Sequence, residues 1–91
     1  MKLTKEEQRA LRSAAQTIKP KVFVGKNGIN VGTINSIDEV LTADELVKVK
    51  FLNYAEEIDQ HTANIITETL NVEFVQRIGR VLVFYRKNEE K

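Results

Sequence analysis

The chain has 91 residues, 42% of them hydrophobic and 30% charged, and no cysteine, which suits one globular domain with a single core and leaves too little chain for a second. Without cysteine there are no disulfides, thiolate metal sites or cysteine nucleophiles, as expected for a reducing cytoplasm, and neither a membrane-spanning run nor a signal-peptide core is present. The net charge is only +1, yet seven bases face two acids in residues 1–28 and seven face eleven in residues 29–91; such polarity fits a basic surface turned toward an anion, or equally a charged surface that only meets water.

Thr4, with Glu7 three residues later, makes a capping box, so a helix is expected to run to about Thr17, before Pro20 disfavours helical geometry at Lys19. Leu11, Ala14, Ala15 and Ile18 fall on one stripe of it, and Lys2, Lys5, Arg9 and Arg12 on the opposite stripe. Lys21-Val22-Phe23-Val24 reads as a short strand that ends at Gly25. After the tight loop Gly25-Lys26-Asn27-Gly28, Asn30 caps a second helix with apolar positions Val31, Ile34, Ile37 and Leu41, broken at Thr42-Ala43-Asp44.

Leu46 to Leu52 then alternates, with Val47, Val49 and Phe51 on one face and Lys48 and Lys50 on the other. Asn53 to Gln60 is polar and ambiguous, but Ile58, Thr62, Ile65, Ile66 and Leu70 suit a third helix from about Glu56 to Leu70. Glu73 to Ile78 and Val81 to Arg86 are strand-like runs joined by Gly79-Arg80 in a hairpin, and Lys87 to Lys91 form a charged tail. Helix, strand, helix, strand, helix, strand, strand makes a single α/β domain over residues 1–91: two layers, with helices on one face of a mixed four-stranded sheet and the other face partly in water.

Gly25-Lys26-Asn27-Gly28 is the main candidate site. Two glycines bracketing two residues, after a strand and before a helix, allow a sharp turn and close backbone approach, and the helix N-terminus behind favours an anion. Any strand-to-helix turn can use glycine for geometry alone, so the spacing leaves both readings open; Lys19, Lys21 and Lys26 tilt it toward phosphate. Neither a P-loop ending nor a dinucleotide fingerprint is present.

The stripe Lys5, Arg9 and Arg12 is followed by no acid at three or four residues, unlike a self-neutralising solvated face. Lys48, Lys50 and Arg77 are expected to share the open sheet face as a secondary basic patch. Phe51, Phe74 and Tyr85 are expected on the core side, which leaves that patch few aromatics for bases to stack on. His61, the one histidine, reads as a surface residue; no metal site, cofactor, small-molecule substrate or catalytic constellation emerges.

Three ordered segments carry a resemblance: Lys19-Pro20-Lys21-Val22-Phe23-Val24-Gly25-Lys26-Asn27-Gly28, Glu45-Leu46-Val47-Lys48-Val49-Lys50, and Val75-Gln76-Arg77-Ile78-Gly79-Arg80-Val81-Leu82-Val83-Phe84-Tyr85-Arg86. Over about residues 3 to 86 the chain resembles the CRM domain, named for chloroplast RNA splicing and ribosome maturation, in its stand-alone bacterial YhbY-like form. One departure is Thr42-Ala43-Asp44, where members often carry His before the Glu-Leu pair. The resemblance implies a fold like the C-terminal domain of translation initiation factor three. It also implies RNA binding through the Gly-x-x-Gly loop with Lys19 and Lys21 beside it, and association with precursors of the large ribosomal subunit. The expected function is thus a non-enzymatic, cytoplasmic RNA-binding protein of large-subunit assembly; the alternative is a protein-interaction adaptor using an exposed sheet edge.

Overall fold

A computed structural model describes residues 3–26, 28–52 and 60–88. The first helix, α1 (Lys5–Ala15), begins with the expected capping box: the Glu7 N–H donates to Thr4 Oγ1 at 3.1 Å, and the Thr4 N–H donates to Glu7 Oε1 at 3.0 Å. The helix stops two residues earlier than expected, because Gln16 and Thr17 donate to Ser13 and Ala14 in tighter i→i−3 bonds. Strand β1 (Val22–Val24) follows, then α2 (Val31–Asp44), capped by Asn30, whose side chain accepts from the Thr33 N–H at 3.0 Å.

The expected break at Thr42-Ala43-Asp44 is corrected. Thr42 Oγ1 donates to the Asp38 carbonyl at 2.9 Å, and α2 continues to Asp44. It closes at Glu45, left-handed at φ 66°, whose N–H donates to the Leu41 carbonyl at 2.9 Å. Strand β2 (Leu46–Phe51), α3 (Gln60–Leu70), β3 (Glu73–Ile78) and β4 (Val81–Tyr85) complete the order. The expected start of α3 near Glu56, and Ile58, lie outside the described residues. Gly79, first of the two hairpin residues, takes φ 58°, which glycine adopts without Cβ strain.

The strands form one sheet in the order β1-β2-β4-β3, with β1 parallel to β2 and the remaining pairs antiparallel. The mixed α/β class and element order are those expected, but the two-layer arrangement is not. Val47, Val49, Phe51, Leu82 and Phe84 bury one sheet face against Ile37 and Leu41 of α2 and Ile66 of α3. On the other face Ala15 and Leu11 of α1 pack with Leu3, Leu46, Val75, Val83 and Tyr85. Helices therefore cover both faces, giving three layers. The apolar stripe of α1 needs a partner surface, and the α2/α3 side is already filled.

Three further expectations change. Ala14 is exposed, as is Val31 at the start of α2, 76% accessible. Tyr85 pairs with Leu46 and joins the α1 side rather than sharing a face with Phe51.

Beyond β4, Arg86 ties the two helix ends together. Its guanidinium reaches Asp38 Oδ1 at 2.7 Å, the Asp38 carbonyl at 3.3 Å, Thr42 Oγ1 at 3.2 Å and the Leu70 carbonyl at 3.5 Å. The Asn88 N–H donates to Glu45 Oε2 at 2.6 Å, which secures the left-handed residue.

The capping box makes the fold pH-sensitive at α1. Hydrogen bonds from Thr4, foremost that of its backbone N–H, hold the Glu7 carboxyl below its ordinary value. A depressed carboxyl contributes stability above its unfolded value and loses it as pH falls through the folded one. Wild type should therefore melt above Glu7→Gln at neutral pH, with the gap closing as thermal unfolding is repeated down to about pH 3. A gap unchanged across that range would contradict the charge contribution.

Candidate functional site

The Gly25–Gly28 loop springs from the end of β1 and turns tightly: the Gly28 N–H donates to the Gly25 carbonyl at 3.0 Å, and Gly28 takes φ 68°. That left-handed value is what glycine supplies here. Lys26 is exposed at the tip; Asn27 lies outside the described residues. The loop is fixed from behind by the Leu52 N–H, which donates to the Val24 carbonyl at 2.9 Å, and in front by the Asn30 cap. Gly32 leaves room for that cap, because a Cβ there would stand 3.2 Å from Asn30 Oδ1.

Beside the loop lies a cavity of about 180 Å³ lined by Val24, Gly28, Ile29, Phe51, His61 and Ile65 among others. His61 is exposed, as expected, but the first turn of α3 brings it to the loop wall. Nothing local in the sequence signals this, since the two meet only through the packing of α3 beyond β2. Among the described residues no group of three His, Cys, Asp or Glu is placed to hold a metal ion. Nor is any helix among them long and apolar enough to cross a membrane.

Lys5, Arg9 and Arg12 are exposed on the outside of α1. Arg12 occupies the last turn, where a cation also complements the helix dipole. Lys19 and Lys21 precede β1 while Lys26 follows it, so a strand of about 10 Å separates the flanking bases from the loop tip. Lys21 is moreover engaged: its ammonium meets Asp44 Oδ2 at 2.6 Å, bridging the start of β1 to the end of α2. Both groups are substantially exposed, so the pair adds little stability, but it offsets a charge that would otherwise face an anion.

The secondary patch of Lys48, Lys50 and Arg77 does not assemble. A register shift between Phe74 and Gln76 inserts a bulge in β3, so that Arg77 pairs with Leu82. Leu82 belongs to the α2/α3 side, whereas Lys48 and Lys50 alternate with Val47 and Val49 and point to the α1 side. Arg77 instead donates from Nε to the Gly79 carbonyl at 2.9 Å across the hairpin. Lys48 is half-buried and donates to the Ile18 carbonyl at 3.1 Å, pinning the segment after α1 onto the sheet. Lys50 remains exposed.

Beside Lys50 stands a residue that the periodicity of the sequence did not single out. Phe23, paired with Lys50 across β1 and β2, is 55% accessible, whereas Val22 and Val24 on either side of it are buried.

Residues 3–86 match the family model described as CRS1 / YhbY (CRM) domain. A relative from Bacillus subtilis (strain 168), named "Probable RNA-binding protein YqeI", is 38% identical over 88 residues, covering 97% of this chain and 92% of its own length. A Haemophilus influenzae protein named "RNA-binding protein" is 34% identical over 97% of this chain and 89% of its own length. Among solved structures, the solution structure of the hypothetical protein SAV1595 from Staphylococcus aureus superposes with a TM-score of 0.78 at 38% identity, covering 94% of this chain and 90% of that one.

Proposed function

The chain belongs to the CRS1/YhbY (CRM) domain family, and from that premise we propose that it is a non-catalytic, cytoplasmic protein that binds structured ribosomal RNA during assembly of the large ribosomal subunit. The Gly25–Gly28 loop and the outer face of α1 supply the phosphate contacts. One observation carries this reading: among the described residues Lys5, Arg9, Arg12, Lys19 and Lys26 are exposed, and none of the five has a hydrogen bond or ion pair occupying its charge. Cations held in water without partners are available to neutralise phosphates. The adaptor alternative has weaker support, because edge strand β1 is three residues long and edge strand β3 is bulged; both features blunt strand addition.

The loop is tested by replacing both central residues, Lys26→Asp with Asn27→Asp, which keeps the glycines. A charge-assisted contact is lost and two negative charges are set where the anion should lie, so RNA affinity should fall more than tenfold. Thermal unfolding should change little, because Lys26 is exposed and substitutions at exposed loop positions rarely alter folding much. RNA titration and melting on the same preparation decide it, and near-native affinity in the folded variant would rule out the loop as the phosphate site.

A further inference from the structure

Phe23 is the central residue of β1, between two buried valines, yet over half of its surface is open. Cross-strand pairing places it in a row that crosses the whole sheet on the α1 side: Phe23 beside Lys50, Lys50 beside Val81, and Val81 beside Ile78. The next two rows on that side, Lys48 with Val83 and Leu46 with Tyr85, hold Val83 and Leu46 in the α1 cluster, with Lys48 fixed to Ile18. The helix does not extend cover over both ends of the outer row, where Phe23 is 55% and Ile78 46% accessible. An aromatic side chain and a lysine thus stand together at the sheet end from which the Gly25–Gly28 loop emerges.

Resting on the RNA-binding reading above, we infer that Phe23 and Lys50 form a stacking site for an unpaired base of the RNA whose phosphate lies at the Gly25–Gly28 loop. Phe23 precedes Gly25 by two residues, about 7 Å of strand, a span that one nucleotide bridges between its phosphate and its base. The ring face suits any base, and the Lys50 ammonium beside it suits the adjoining phosphate. Charge favours RNA over an apolar protein partner, since such a partner would bury Lys50 at the centre of the row, and no acid in the row offsets it.

The test compares wild type, Phe23→Ala, Phe23→Leu and Phe23→Trp for binding to a labelled single-stranded oligoadenylate and to a blunt RNA duplex, with circular dichroism confirming the fold. Phe23→Ala and Phe23→Leu should each lose about tenfold in affinity for the single strand and little for the duplex. Phe23→Trp should retain affinity. Because the chain has no tryptophan, the introduced indole reports alone, and its emission should be quenched by the single strand and not by the duplex. If wild type binds RNA while Phe23→Leu keeps full affinity and the indole is not quenched, the stacking site is overturned and the RNA reading stands; the row is then left to a protein partner. Equal losses on strand and duplex overturn it as well. Failure of wild type to bind either RNA overturns both.

Discussion

Raising salt from about 50 to about 200 mM should weaken RNA binding about a hundredfold. The number counts the unengaged cations, among the described residues, of the surface proposed to contact phosphates, the outer face of α1 and the Gly25–Gly28 loop with its flanking bases. Lys5, Arg9, Arg12, Lys19 and Lys26 are exposed and unengaged, whereas Lys21 faces Asp44 and Lys48 is tied to the Ile18 carbonyl. Five neutralised phosphates give a slope of log K against log salt near −3 to −4 with the single-strand coefficient. Arg9→Gln combined with Arg12→Gln removes two of the five and should flatten the slope by roughly 1.4. These positions face water from α1, so the double variant should fold normally. Affinity independent of salt would refute the electrostatic model, and an unchanged slope in the double variant would move the phosphate contacts off α1.

Phe84→Ala should cost about 3 to 5 kcal/mol of folding stability, a large part of the roughly 5 to 14 kcal/mol expected for a domain of this length. Phe84 is completely buried in β4, the strand between β2 and β3, and meets the ring of Phe74 edge-on at 5.8 Å between centroids. Truncation removes the largest fully buried side chain among the described residues and leaves a hole that neighbours on two strands cannot close together. The midpoint of thermal melting should drop by about 15 to 30 °C. Phe74→Ala should cost clearly less, because Phe74 lies on the edge strand and is 38% accessible. Chemical denaturation of both variants provides the comparison; a loss below about 1 kcal/mol for Phe84→Ala would mean that the core refills the space.

Features encoded within a few residues were legible. The Thr4–Glu7 box, the Asn30 cap, the Gly79-Arg80 hairpin and the tight turn at Gly25–Gly28 each depend on neighbours in the chain, and each was read at its own position. What depends on distant partners was not. The bulge in β3 changes which face Arg77 occupies, and alternation counted along the strand has no means of registering an extra residue. Lys21 and Asp44 are 23 positions apart, so the engagement of one cation of the candidate site becomes visible only when β1 meets the end of α2. Phe23 sits in a short apolar run that reads only as a strand; its exposure depends on how far α1 covers the sheet. The residual ambiguity of Val31, apolar at helical spacing yet in water, has the same origin: the first turn of α2 projects beyond the core.

The sheet order also has a temporal meaning. A ribosome delivers β1, α2 and β2 before β3 and β4, yet β4 is the strand that joins β2 to β3. Until Val81–Tyr85 is available, β2 has a partner only in the three residues of β1, and β3 has none. Synthesis proceeds at roughly 5 to 20 residues per second, so the nascent chain spends seconds with one sheet edge of β2 unsatisfied and with the face under α2 incomplete. Arg86, arriving just after β4, then draws the ends of α2 and α3 together. Domain formation therefore waits for β4, which supplies the middle of the sheet after every other element.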